Sequence, residues 1–541
     1  MESVDATPSF HRGDFLFDLK SGAGFAGSLP AFLHKKITPG SARLIRADRL
    51  RRREDAFLTI AERAVFGSPS SPYLALFRRA GCEFGDLARM VSADGLEAAL
   101  GRLLAEGVYL TVDEFKGRRE AERGGTAAPC GPGLLRNPVT SRGVSSKSGG
   151  SRGEGAPLLL DFRFIAACAV NACLLLEAHG GSDWVKADWE SPGGGALFRL
   201  LKLSRFGRRP ARWFSQLDPA SPGLHPRYRW SARALRWVSV VAAAPLPAVR
   251  HVPLDRPAPI VLWMRTVLEA GRTPFLFTFP SSAVKIALAA AELGLGLEGA
   301  RFLVGGEPVT EARLSTIRAS GAQAIPRYGS IECGPVSYGC LAPVEADDTH
   351  VNLDLYAAVQ AGPEGGPPGL PPRAVFLTGL NPWTPYVLIN VNLGDEAVLE
   401  RRRCGCPLEA AGLGVHLRSI RSFEKLTGAG MTFMDTDVIR VLETDLPERF
   451  GGAATDYQVV EGEDGRGGPL LRLLIHPRLG PVDAVDAASF FLERIGRGSG
   501  VKRVMGLTWK AAGIVRVERR PPLPGPTGKI LHLRADRRGP G

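Results

Sequence analysis

The alternation of helical and strand patterns in the middle of the chain is the strongest constraint on the fold. A helix capped at Ser281 or Ser282 precedes the strand Arg301–Val304, and a second helix, which begins at Thr310 and is stopped by Gly321, precedes another short strand. Strands that alternate singly with helices pair in parallel. The sequence therefore predicts an α/β fold, in which ligands bind outside the carboxyl ends of the strands.

The length and the composition predict more than one domain. A chain of 541 residues with 44% hydrophobic content can bury more than one core. We expect a large N-terminal α/β domain over residues 1–420, with a helical region at about 1–125 and a Gly/Ser-rich loop at about 126–156. Residues 421–541 hold the apolar run Leu470–Ile475 and a helical pattern after it, which predicts a small α+β domain.

The charge distribution and the cysteine content limit the binding partners and the cellular compartment that we expect. The net charge is +13, but arginine is spread along the chain among acids, so we expect no nucleic-acid partner. Met1–Phe17 has no continuous apolar segment, and the most apolar stretch, Phe164–Leu176, falls short of the ~20 residues of a membrane span. We therefore expect neither a secretory signal nor a membrane span. The eight cysteines are too dilute for a disulfide scaffold, which predicts a reducing, cytoplasmic setting.

Two loops follow the two predicted parallel strands at their carboxyl ends. Gly305-Gly-Glu-Pro308 follows the first strand, and Tyr328-Gly-Ser-Ile-Glu332 follows the second. Glycine lets the backbone approach a flat ligand closely, Tyr328 offers an aromatic face, and Glu332 offers an oxygen ligand for Mg²⁺. Together the two loops predict a site for a purine and its phosphates. The alternative interpretation is that they are ordinary turns with one glutamate at the surface.

These loops resemble motifs of the adenylate-forming superfamily of acyl-CoA synthetases and adenylation domains, and most of all its phenylacetate-CoA ligase branch. The second loop is similar to the superfamily's tyrosine-glycine-x-threonine-glutamate motif, and the first is similar to its adenine-side glycine-rich loop. Further segments resemble the ribose-binding aspartate motif (Tyr386–Asp395), the hinge motif (Arg421), the C-terminal lysine loop (Pro526-Thr-Gly-Lys529) and the phosphate loop (Lys147–Gly153). The likeness covers about residues 147–534.

The resemblance implies a small mobile C-terminal lid and a reaction. Attack of a small carboxylic acid on the α-phosphate of ATP brings two anions together, so Lys529 and a Mg²⁺ ion on Glu332 would supply the neutralising charge. Rotation of the lid would then let the thiol of CoA attack the acyl-adenylate. Contacts with the nucleotide are implied for Ser148, Gly149, Gly150, Ser151, Gly153, Gly305, Gly306, Glu307, Pro308, Tyr328, Gly329, Ser330, Asp395 and Arg421.

Three positions depart from the pattern of the superfamily. Ile331 replaces a hydroxyl residue that would touch the α-phosphate, Phe423 replaces the first acid after the hinge arginine, and the phosphate loop lacks its usual lysine. Two alternatives therefore stand beside transfer to CoA. One is adenylation with transfer to a carrier-protein thiol, an amine or a hydroxyl. The other is a non-catalytic nucleotide-binding module with the same fold, which Ile331 favours.

A cysteine and histidine pattern suggests a structural metal site. Cys404-Gly-Cys406 brings two thiols close together, and Cys340 and His350 supply two further ligands for a tetrahedral Zn²⁺ ion. Cys333 is an alternative to Cys340. Members of the phenylacetate-CoA ligase branch look similar at these loops. The other interpretation is a set of buried, inert cysteines.

Overall fold

The computed structural model describes residues 27–140, 143–147, 157–220, 227–362, 367–422, 425–428, 431–434, 438, 440–453, 456–465, 468–497, 500–523 and 533–535. The strands are β1 Ala121–Arg123, β2 Thr126–Ala128, β3 Gly143–Lys147, β4 Pro157–Asp161, β5 Val185–Glu190, β6 Arg212–Ser215, β7 Val249–His251, β8 Pro274–Thr278, β9 Arg301–Val304, β10 Gln323–Ser330, β11 Gly334–Gly339, β12 Thr349–Val351, β13 Tyr356–Val359, β14 Ala374–Gly379, β15 Val391–Arg401, β16 Val415–Ser422, β17 Lys425–Gly428, β18 Met431–Met434, β19 Tyr457–Glu463, β20 Pro469–Ile475, β21 Val515–Arg519 and β22 Leu533–Ala535. The principal α-helices are α1 Pro39–Arg51, α2 Arg53–Ala61, α3 Pro72–Arg79, α4 Phe84–Asp94, α5 Leu96–Ala105, α6 Val112–Phe115, α7 Pro132–Leu135, α8 Phe162–Ala178, α9 Gly194–Ser204, α10 Arg227–Val241, α11 Ala258–Glu269, α12 Pro280–Glu292, α13 Glu311–Ala319, α14 Pro407–Ala410, α15 Leu446–Phe450, α16 Ala484–Ile495 and α17 Gly500–Ala512.

Within the described residues, twelve strands form one mixed sheet in the order β13-β14-β15-β16-β12-β11-β10-β9-β8-β5-β6-β7. The strands from β10 to β7 pair in parallel, and β9 pairs with β10 as predicted. On its other side, β10 pairs antiparallel with β11, and antiparallel pairing continues to β13. The predicted α/β class is confirmed, and β10 is the strand at which the parallel half meets the antiparallel half.

The predicted serine cap of α12 is wrong. This helix begins at Pro280, so Ser281 already lies in the first turn, and its backbone N–H donates to the carboxylate of Glu307 at 2.9 Å. Proline suits the first helical position because its missing N–H would have no partner there. The cap of α13 is confirmed, since the side chain of Thr310 accepts from the backbone N–H of Arg313.

The segment 126–156 is only partly a loop. It contains β2, α7 and β3, and β3 pairs antiparallel with β4 from Gly143 opposite Asp161 to Lys147 opposite Pro157. The β1–β2 hairpin turns at Gly124 and Gly125, which both have positive φ. Hairpin pairing is made by backbone groups, so a segment poor in large apolar side chains can still form strands.

The C-terminal part is a separate α+β unit, as predicted. Strands β19 to β22 form a four-stranded sheet in the order β21-β20-β19-β22, and α16 lies against α17 and β21. One hydrophobic cluster joins this unit to the parallel half of the large sheet, with Trp509 fully buried in it. Lys285 Nζ donates to Ala512 O at 3.0 Å, and Arg313 Nε lies 3.0 Å from Glu463. No helix in the described ranges is long and apolar enough to cross a membrane.

Candidate nucleotide site

The first predicted loop leaves β9 in a conformation that requires glycine. A Cβ atom on Gly305 would lie 2.4 Å from the carbonyl oxygen of Arg327, so β9 and β10 approach each other too closely for a side chain. Gly306 has φ +86°, a left-handed conformation that other residues rarely adopt. The backbone therefore turns over the end of the sheet, as a site for a flat ligand needs.

The side chain of Glu307 makes hydrogen bonds and an ion pair within the protein. Its carboxylate accepts from the backbone N–H and the hydroxyl of Ser281, both at 2.9 Å, and it lies 3.3 Å from the guanidinium of Arg313. The residue is buried. Glu307 thus ties the loop to the first turn of α12, and its predicted nucleotide contact would come from its backbone.

Tyr328 and Asp395 are in contact at the end of β10. They belong to two separate sequence motifs. The hydroxyl of Tyr328 donates to Oδ2 of Asp395 at 2.9 Å. Burial of this hydroxyl and the negative charge of Asp395 raise the pKa of Tyr328 well above 10, so the phenol stays protonated and keeps the hydrogen bond. The contact holds the carboxylate of Asp395 beside the aromatic ring of Tyr328.

A bulge in β10 turns the motif toward Glu332. Gly329 has φ +148°, and a Cβ atom there would lie 2.1 Å from Gly334 O. The register shifts between Tyr328 and Gly329. Beyond the bulge, the hydroxyl of Ser330 lies 3.3 Å from the thiol of Cys333. Only glycine permits this close approach, which explains the motif glycine in physical terms.

Glu332 forms a largely buried ion pair with Lys116, a residue that the sequence motifs do not indicate. Lys116 follows the short helix α6 and is separated from Glu332 by 216 positions. Burial alone would raise the pKa of Glu332, but the charge and hydrogen bond of Lys116 outweigh it and hold that pKa at about 2. The carboxylate is therefore ionised, as a Mg²⁺ ligand must be.

We expect Lys116→Met to lower the free energy of unfolding by about 3 kcal/mol, because it leaves a buried carboxylate without its partner. The pKa of Glu332 is depressed in the folded state, so this stabilisation is present above pH ~4.5 and is lost as the pH falls toward 2. Urea unfolding at pH 7 and at low pH measures the difference. Millimolar MgCl₂ should restore part of the loss in the variant, whereas NaCl of equal ionic strength should not. Lys116→Arg is the matched control, and equal effects of both salts would contradict a cation site.

Arg421 lies on β16 and is held by Asp347, which the sequence motifs also do not indicate. The guanidinium of Arg421 lies 3.0 Å from Oδ2 of Asp347. The two oxygens of Asp347 also accept from the backbone N–H groups of Ser419 at 2.8 Å and Ile420 at 2.7 Å. Ser419 has φ +52°, so this carboxylate stabilises an unusual backbone conformation directly before the hinge. Arg421 itself is half exposed and accessible to a ligand.

Several predicted residues lie outside the described residues. They are Ser148, Gly149, Gly150, Ser151, Gly153 and Lys529, and the hinge neighbour Phe423 lies outside them as well. Their predicted roles stay predictions. The strands that flank the phosphate loop are described, and their register places Lys147 opposite Pro157.

The predicted metal ligands come together. One ligand atom from each of Cys340, His350, Cys404 and Cys406 lies within 4.8 Å of all the others, and three of the four residues are buried. Cys333 is not in this group, because its thiol contacts Ser330 and the carbonyl of Gly334. The cluster joins three segments that are distant from one another in the sequence.

The orientation of His350 fits a metal ligand. Its Nδ1 lies 2.6 Å from Leu413 O, which can only accept, so Nδ1 carries the proton. The lone pair of Nε2 then faces the thiols of Cys406 at 3.1 Å and Cys404 at 3.6 Å. A backbone carbonyl that fixes the histidine in this way is usual in zinc sites. Three thiols and one imidazole at this spacing fit Zn²⁺.

The fold, with a large mixed α/β domain and a small α+β unit, is similar to that of a solved CoA ligase, so the predicted resemblance is borne out as a likeness of fold. The structure of 2-hydroxyisobutyryl-CoA ligase in complex with 2-HIB-AMP and CoA in the thioesterification state matches with a TM-score of 0.56 at 15% identity, over 91% of this chain and 90% of that chain. o-Succinylbenzoate CoA synthetase from Bacillus subtilis matches at 0.41 and 13% identity, over 74% and 69% of the two chains. The amide bond synthetase McbA from Marinactinospora thermotolerans matches at 0.39 and 13% identity, over 89% and 92%. No protein-family model and no curated protein matches this chain.

Proposed function

We propose that the protein activates a small carboxylic acid with ATP as an acyl-adenylate and then transfers the acyl group to CoA. The observation that carries this proposal is the contact of Tyr328 with Asp395 beside an ionised Glu332. These side chains lie at the carboxyl edge of the parallel strands, where α/β folds bind ligands. The fold of the solved CoA ligase supports the same conclusion.

Each residue would contribute positioning or charge. Tyr328 would stack on the adenine ring and orient Asp395, whose carboxylate oxygens can accept hydrogen bonds from the ribose hydroxyls. Glu332 would hold Mg²⁺, which neutralises the phosphates. Lys529 would bridge the acid's carboxylate and the α-phosphate. Attack of the carboxylate oxygen on that phosphorus forms the mixed anhydride and expels pyrophosphate, so the protein mainly brings two anions together.

We also propose a Zn²⁺ ion at Cys340, His350, Cys404 and Cys406, and we place the chain in the phenylacetate-CoA ligase branch on the strength of this cluster and the motifs. The ion would be structural, because four protein ligands leave no open position for a substrate.

We propose a reducing, cytoplasmic setting, which the eight free thiols support.

A second candidate function is a nucleotide-binding module without catalysis. Ile331 favours it, because this side chain is partly buried against the hydrophobic core and offers no hydrogen bond to a phosphate. The same adenylating site with a carrier-protein thiol, an amine or a hydroxyl as acceptor is the remaining alternative.

Pyrophosphate release separates these functions. The protein is incubated with ATP, Mg²⁺ and a panel of aromatic and aliphatic carboxylic acids, with and without CoA. We expect release with at least one acid, together with consumption of CoA. Release without loss of CoA would indicate another acceptor. No release with any acid, despite tight binding of ATP, would contradict the enzyme and support the module.

A further inference from the structure

A basic cavity lies at the edge of the sheet opposite the nucleotide loops. Its volume is about 450 Å³, and its lining consists of Lys36, Val185, Gly207, Arg208, Arg209, Ala211 and Arg272. Four of these seven residues are cationic and none is acidic. Clustered cations without an acid repel one another, so this lining is destabilising unless an anion offsets the charge.

The cavity is formed by a tight turn after α9. Gly207 has φ +53°, and a Cβ atom there would lie 2.6 Å from Ser182 O, so the chain turns where only glycine fits. The turn presents Arg208 and Arg209 consecutively to the cavity. The turn fixes the backbone of both arginines, so ligand binding needs to order only their side chains.

Within the part of the chain that the structure describes, the lining offers the cavity cations no acidic partner. Lys36 Nζ donates to Ser204 O at 2.6 Å, and partial burial together with the charges of Arg209 and Arg205 lowers the pKa of Lys36 to about 8. Among the described residues, Nε of Arg209 is buried and has no hydrogen-bond partner. A buried donor without an acceptor is destabilising, and an oxyanion in the cavity would offset that cost.

The nucleotide site does not account for this cavity. Val185 begins β5, and Arg272 precedes β8, so the lining lies at the amino ends of the parallel strands. The nucleotide loops follow the carboxyl ends. β5 has six residues, which places the two edges about 20 Å apart at ~3.3 Å per residue. One ligand of nucleotide size cannot occupy both sites.

We propose that the basic cavity binds a small ligand that carries a phosphate group and at least two negative charges. Guanidinium groups bind phosphate oxygens through paired hydrogen bonds, and three arginines with one lysine suit a multiply charged group. The volume exceeds that of one inorganic phosphate and is within the usual range for small-molecule sites.

Calorimetric titration of the full chain with inorganic pyrophosphate, at constant ionic strength, tests the proposal. We expect Arg209→Gln/Arg272→Gln to lose one binding equivalent or to weaken it at least about tenfold. The matched control is Arg318→Gln/Arg449→Gln, which removes the same charge from two exposed, ion-paired arginines on α13 and α15. The control should bind as the natural chain does.

A further variant and two further ligands test the site and the ligand class separately. Arg208→Gln removes an exposed member of the lining and should weaken binding without affecting the fold, which circular dichroism checks. Inorganic phosphate should bind more weakly than pyrophosphate. Tighter binding of citrate than of pyrophosphate would overturn the assignment to a phosphate ligand. The site itself would be overturned if pyrophosphate did not bind to the natural chain. It would also be overturned if pyrophosphate bound to both cavity variants as it binds to the natural chain.

Discussion

Lys529→Ala is expected to reduce acid-dependent pyrophosphate release by about 10²–10³-fold, because it would remove the charge that we propose for the reacting phosphate. Lys529 itself lies outside the described residues, between Leu523 and β22 in the sequence. Both flanking positions are bonded to β19. Leu523 exchanges hydrogen bonds with the side chain of Gln458 on β19 at 2.7 and 3.1 Å, and β22 pairs with β19.

We expect the substitution to leave the fold intact, because the Pro/Gly-rich sequence around Lys529 predicts an exposed turn. The free energy of unfolding should stay within about 0.5 kcal/mol of the natural value, as for most surface substitutions. Lys510→Ala, at an exposed lysine on α17, is the matched control and should retain full activity.

Separate assays of the two half-reactions sharpen the prediction. Transfer to CoA from a preformed acyl-adenylate should persist in Lys529→Ala, since the lysine is assigned to adenylation alone. Unchanged pyrophosphate release in this variant would contradict the assignment of Lys529, and equal loss in Lys510→Ala would point to a general effect of charge.

Removal of the thiols of the metal cluster is expected to have the second large effect. Cys404→Ser/Cys406→Ser should lose bound zinc and lower the free energy of unfolding by at least roughly 3 kcal/mol, because metal binding free energy becomes folding free energy. Elemental analysis of the purified protein measures the metal, and urea unfolding with and without a chelator measures the stability. The chelator should destabilise the natural chain and leave the variant unchanged.

Cys130→Ser is the matched control for this prediction. Cys130 is partly buried and lies outside the cluster, so its substitution should retain zinc and most of the stability. A natural chain purified without zinc, and with no response to added zinc, would contradict the metal site. Zinc retained in the double variant would place the ion elsewhere.

We expect loss of the metal to disturb the candidate nucleotide site as well, because the adjacent residues Asp348 and Asp347 contact the two regions. Asp348 contacts Arg402 and lies 2.7 Å from Nδ1 of His416, whose ring packs against that of His350 with the centroids 4.0 Å apart and the planes at 50°. Asp347 holds the backbone before the hinge and Arg421. Disorder in the cluster would therefore displace the carboxylate that fixes the hinge.

The elements that the sequence predicted well have local signals. The strand Arg301–Val304, the cap at Thr310 and the parallel pairing of β9 with β10 follow from periodicity, capping chemistry and alternation within a short stretch of chain. The error at Ser281 is local as well, because Pro280 occupies the first helical position and places Phe279 at the cap. The sequence does not predict the strands within 126–156, because hairpin pairing leaves little trace in composition.

The α/β class, the small C-terminal unit and the types of residue at the candidate site could be predicted from the sequence, since each depends on neighbours within one or two turns or strands. The partners of these residues follow from tertiary packing: Lys116 for Glu332, Asp395 for Tyr328 and Asp347 for Arg421. It also brought four cations to one cavity far from the nucleotide loops. The physical reason is that charge pairing and ligand geometry depend on distance in space, whereas sequence patterns report only distance along the chain.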